Sequence, residues 1–111
     1  MAQYEETPKG VPFNLIDHIA YAGGSVVSKI LLKKDIGSIT LFSFDAEQEL
    51  SEHTAPFDAV VYLLDGQAEI SIGGESHTLR AGEMLIMPAN VPHALHAEER
   101  FKMLLVMLRG E

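Results

Sequence analysis

Cysteine is missing from this chain, and with it any disulfide framework and any thiolate nucleophile or metal ligand. Basic residues are scarce: eight Lys and Arg stand against 16 Asp and Glu, a formal net charge of −8. That balance argues against nucleic acid, which needs a basic patch to neutralise phosphate. Lys33-Lys34 is the one adjacent basic pair, and it reads as a solvated strand end. No run of about 18 apolar residues offers a membrane span. The opening MAQYEETPKG is acidic and polar without an apolar core, so it does not read as a signal peptide. The expected compartment is the cytoplasm. Nucleophile elbow, phosphate loop and carboxylate pair are likewise missing.

What is present is a 111-residue chain that is 47% apolar, enough for one globular domain and too little for two. Residues 1–12, broken by Pro8, Gly10 and Pro12, read as a flexible N-terminal arm, leaving 13–111 as the domain. Phe13 to Ile16 is a short apolar segment available to a sheet edge or a dimer partner. His18 falls in a surface turn. Ser25 to Lys33 is rich in β-branched residues and reads as a strand, turned back by Asp35-Ile36-Gly37. Ser38 to Phe44 is apolar on both faces. Leu50 to Thr54 carries His53, and Ala55-Pro56-Phe57-Asp58 bends the chain. Ala59 to Leu64 is the most strand-like run, stopped by the hairpin signal Asp65-Gly66. Ala68 to Ile72, Gly73-Gly74 and Glu75 to Leu79 spell a second hairpin. Phe101 to Leu108 is a last strand, again apolar on both faces.

Between them lies GEMLIMPANVPHALH, Gly82 to His96, around which the rest is organised. Met84 to Met87 is too short for a helix and bounded by breakers, so it reads as a buried strand. Pro88 and Pro92 cannot donate ladder hydrogen bonds and mark a rigid corner. The corner aims His93 at the start of the next strand, Ala94 to Ala97. About ten short strands with turn chemistry between them, and no amphipathic helix, signify an all-β sandwich or barrel. Two strands apolar on both faces exceed what one small barrel exposes to water, so a homodimer is expected.

Residues 47–97 resemble the cupin superfamily, small jelly-roll barrels carrying two motifs. The second matches at Gly82, Pro88 and His93, with Asn90 for a glycine and Ala97 for an asparagine. Asn tolerates the left-handed backbone that a turn glycine supplies. The first matches at His53 and Gly66, but Glu47 replaces its opening glycine, Ala55 its second histidine and Ala59 its glutamate. The resemblance implies a cupin jelly roll of about ten short antiparallel strands. It also implies an interior site that in metal-binding members holds a divalent ion with three His and one Glu. Here the period of two puts His53 and Ala55 on one face, and Ala59, Val61 and Leu63 on another. Two small apolar side chains therefore point where imidazole and carboxylate would stand.

The expected pocket comprises His53, His93, Ala55, Ala59 and Met87. His53 and His93 suffice for a weakly held transition metal such as Mn, Fe, Ni or Zn. Their bland reading is a hydrogen-bonded polar pair in an apolar cavity. His96 sits an odd number of residues from His93 and joins them only if a bulge reverses its direction. Asp58 is one place off the motif's glutamate and reads as a turn residue. His77 reads as exposed, Tyr62 as outer sheet or dimer contact. The methionines, Met84, Met87, Met103 and Met107, read as core filling, with Met87 able to line the pocket. Two functions follow. One is a metal-poor barrel binding a small, partly apolar molecule. The other is a metal-dependent oxygenase, isomerase or lyase of a small acid or sugar, with the ion on His53 and His93. The double loss at Ala55 and Ala59 tilts toward the first.

Overall fold

A computed structural model describes residues 2–4, by their backbone alone, and 7–109. Ten strands form two sheets. They are β1 (Ala2–Tyr4), β2 (Val26–Lys34), β3 (Gly37–Phe44), β4 (Glu49–His53), β5 (Ala59–Asp65), β6 (Gln67–Ile72), β7 (Glu75–Arg80), β8 (Met84–Met87), β9 (His93–His96) and β10 (Phe101–Leu108). The larger sheet runs β1-β2-β3-β10-β5-β8 and the smaller β4-β9-β6-β7. Every pairing is antiparallel except that of β1, which lies parallel to β2. The jelly-roll expectation holds. Of the expected N-terminal arm, residues 2–4 form β1, while residues 1, 5 and 6 lie outside the described residues, as do 110 and 111.

The inner faces of the two sheets make one core, and alternation decides who enters it. From β5 these are Ala59, Val61 and Leu63, from β6 Ala68 and Ile70, and from β10 Phe101 and Met103. Phe44 and Phe101, directly paired across β3 and β10, stack with centroids 4.5 Å apart and close one end of the barrel.

A smaller cluster lies on the outer side of the larger sheet, where residues 15–19 cover Leu31 and Leu41. Three side chains rising from that face hold this strap by alternate carbonyls. Lys102 Nζ donates to Ile16 O at 2.6 Å, Lys29 Nζ to His18 O at 2.9 Å and Ser43 Oγ to Ala20 O at 2.9 Å. Tyr21 ends the strap, its hydroxyl donating to Asp65 Oδ2 at 2.6 Å; burial, then that carboxylate, push the phenol well above its usual range.

Three local expectations change. Phe13 to Ile16 is no sheet edge: Asn14 Oδ1 accepts from the Ile16 and Asp17 amides and starts a 3-10 turn, Ile16–His18. Asp65-Gly66 is not a hairpin, because β5 pairs with β10 and β8 while β6 pairs with β7 and β9. The dipeptide is a corner between sheets, and a Cβ on Gly66 would meet the Arg100 carbonyl oxygen. The second expected hairpin, β6–β7, is formed: Gly73 and Gly74 both take positive φ, 57° and 86°, as a type I′ turn requires. Finally, β8 is an edge strand rather than a buried one, and Met84 and Ile86 are exposed on the outer face.

Candidate functional site

His53 closes β4 and His93 opens β9, and the sheet register sets them directly opposite. The corner before His93 is rigid as the two prolines demand. Asn90 takes φ 64°, its amide donates to Ala55 O at 2.7 Å, and Asp58 Oδ1 accepts from Ala89 N at 2.8 Å. Asp58 thus fastens the corner from across the barrel instead of bonding its own turn, and takes no part in a ligand set.

The pair's hydrogen bonding is unusual. His53 Nδ1 lies 2.9 Å from Ser51 O and His93 Nδ1 lies 3.2 Å from Val91 O. A carbonyl oxygen only accepts, so both Nδ1 atoms carry the hydrogen, which leaves each neutral ring bare at Nε2. Those two Nε2 atoms face each other at 3.1 Å. Three contacts call for three protons, and two neutral imidazoles bring two. The pair is complete only with one additional positive charge, a proton or a cation. His93 is buried, and burial, followed by its nearness to His53, pushes it below the ordinary histidine value against the pull of Val91 O. The proton is thus discouraged at neutral pH.

The rings border a cavity of about 70 Å³ whose other walls are Leu50, Ala55, Phe57, Ala59, Met87, Leu95, Met103, Leu105 and Met107. Such a space holds a few heavy atoms. All five residues expected in the pocket line it. Leu50, Phe57, Leu95, Met103, Leu105 and Met107 were missed, the last three because β10 is apolar on both faces and its sequence does not say which face is inner. Phe57 carries the Arg109 guanidinium 5.3 Å from its ring centroid.

The remaining candidates lie elsewhere. His96 faces outward, with Nδ1 3.6 Å from Glu49 Oε1, since β9 keeps a continuous register with β6 and the register shift of its pairing with β4 falls on β4, between Leu50 and His53. His77 is exposed beside Glu75. Among the described residues no three His, Asp or Glu side chains converge as a metal-binding group. The tight four-ligand centre of metal-binding cupins therefore does not fit this chain. A two-imidazole chelate does fit: with bonds of about 2.0–2.1 Å, two ligand nitrogens lie roughly 3.0–3.4 Å apart, and these stand at 3.1 Å. His53 and His93 would hold the ion, and the ion would supply Lewis acidity to a bound oxygen. Larger grooves exist outside the barrel, one of about 320 Å³ between residues 7–15 and the larger sheet and one of about 350 Å³ on the smaller sheet. Neither contains the paired imidazoles.

A two-sheet barrel with paired imidazoles at the mouth of its interior defines a class, and comparison with known proteins agrees. Residues 40–108 match the family model described as cupin domain, and the chain belongs to the cupin family. A conserved protein of unknown function from Streptococcus pyogenes is 35% identical over 100% of this chain and 97% of its own, with a TM-score of 0.90. A cupin superfamily protein from Desulfitobacterium hafniense is 30% identical over 97% and 99%, with a TM-score of 0.88. A cupin 2 conserved barrel domain protein from Leptotrichia buccalis is 41% identical over 87% of this chain but 47% of its own, with a TM-score of 0.85. No curated protein matches. Among the described residues no helix is long and apolar enough to cross a membrane.

Proposed function

We propose that this cupin binds a small, partly apolar molecule in the His53–His93 cavity, working as a cytoplasmic homodimer with at most a weakly held metal. The observation that carries the reading is the cavity's composition: about 70 Å³ of apolar wall with the two imidazoles as the polar anchors. Ala55 and Ala59 make the room, standing where ligands of a tight metal centre would fill it. We take residues 13–111 as the domain, to whose larger sheet β1 adds a strand. A second copy is supported by the outer face of the larger sheet. There Tyr62 pairs with Met84 and Val60 with Ile86, and Tyr62, Met84 and Ile86 are all exposed.

The test is native mass spectrometry and elemental analysis of protein purified without a histidine tag, beside the His53→Ala/His93→Ala double variant. A small molecule released from wild type and missing from the variant supports the reading. Near-stoichiometric Mn, Fe, Ni or Zn in wild type alone supports the second reading instead, a metal-dependent oxygenase, isomerase or lyase of a small acid or sugar. That reading is favoured by the two converging Nε2 atoms. There His53 and His93 would hold the ion, which would supply Lewis acidity to a bound oxygen, and the cavity wall offers no further histidine as a base.

A further inference from the structure

The cavity's third type of side chain is thioether. Met87 and Met107 are the two cross-strand neighbours of Ala59, one on each flanking strand, and both line the cavity, as does Met103. Of the four methionines between residues 84 and 107, only Met84 turns outward, 60% exposed. The place vacated by a carboxylate at Ala59 is thus flanked by two methionine side chains. Across the cavity, each imidazole is locked by its own backbone carbonyl so that a bare Nε2 points toward its partner. Locking a ring in this way is how a ligating histidine is oriented.

The donor set is neutral throughout: two imidazoles, thioethers and no carboxylate in the wall. A divalent ion there would keep its full charge in apolar surroundings, and the solvation penalty grows as the square of the charge, about fourfold from one charge to two. One positive charge is what the imidazole pair lacks. Thioether and imidazole together select a soft metal, and the soft monovalent ion among biological metals is Cu(I).

We propose that His53 and His93 with the thioethers of Met87 and Met107 form a Cu(I) site. This rests on the reading that the imidazole pair is the polar anchor of the cavity. It differs from the weakly held Mn, Fe, Ni or Zn considered above in both charge and softness.

The experiment is anaerobic titration with Cu(I) against a chromophoric Cu(I) chelator, with a parallel Zn(II) titration and X-ray absorption at the copper edge. Wild type is compared with Met87→Leu/Met107→Leu, with Met84→Leu and with His53→Ala/His93→Ala. Leucine keeps the volume of methionine, so the fold is expected to survive. Wild type should bind one Cu(I) with a sulfur scatterer, the double leucine variant at least tenfold more weakly, and Met84→Leu as wild type. Zn(II) should bind more weakly than Cu(I) and ignore the leucines. Cu(I) affinity unchanged in Met87→Leu/Met107→Leu, or a copper shell without sulfur, overturns the site while leaving the imidazole anchor standing. Equal binding of both metals to wild type and the histidine double variant overturns the anchor too.

Discussion

The two ends of the barrel interior are built from the same strands and behave as opposites. At one end of β10, Phe101 stacks on Phe44, and Leu63, Ala68 and Ala97 leave no exposed surface. Six residues along, about 20 Å by the strand rise, Met107 lies beside its partner Ala59, and both border the cavity that the two histidines also line. Alternation and apolarity are common to both ends. The difference is side-chain volume at Ala55 and Ala59. A jelly roll needs one filled end for stability, and the other is free to be hollow.

That contrast is open to test. Phe101→Ala empties the filled end and is expected to lower stability by about 3–5 kcal/mol, measured by urea denaturation. Gly66→Ala, at the corner beside that end, drives a Cβ against the Arg100 carbonyl with φ at 77°. It should cost about 2–3 kcal/mol in the same assay. At the hollow end Ala59→Leu grows into the cavity and should add about 1 kcal/mol while abolishing binding of any guest. A destabilised, still-binding variant would place Ala59 away from the cavity. Rebuilding the missing ligands with Ala55→His and Ala59→Glu should raise affinity for a divalent ion over wild type, read by Zn(II) titration. No gain would undo the alignment of both positions with the site.

The smallest effect is on pH. Folding holds His93 below its ordinary value of 6.5. The unfolded chain then takes up protons first as pH falls through that value, so metal-free protein is most stable above it and loses stability on acidification. His93→Ala should flatten this slope. A wild-type slope of the opposite sign would mean that the pair shares a proton tightly enough to outweigh burial.

Much of this was legible in the residues. Strand rhythm gave the strands and the all-β class, and the resemblance to both cupin motifs, through His53 and His93, brought the two histidines to one pocket. Even where the motif's glycines are absent the backbone keeps their shape: Glu47 and Asn90 take φ of 71° and 64°. Other features were not legible, each for a physical reason. Asp65-Gly66 announces a tight turn but cannot say which sheet receives the next strand. Met84 to Met87 is apolar, yet burial depends on being central, and β8 is an edge. For β10, apolar on both faces, only the partner strands reveal that Met103, Leu105 and Met107 look inward.

The strap over the outer sheet has a consequence for how this protein can diverge. Lys102, Lys29 and Ser43 grip it by the main-chain carbonyls of Ile16, His18 and Ala20, which every amino acid offers. Within 16–20 the one buried side chain is Ile19. Positions 16, 17 and 20, whose side chains are exposed, are therefore free to drift among homologues. The three gripping residues, far off in the chain, are the ones that should resist substitution.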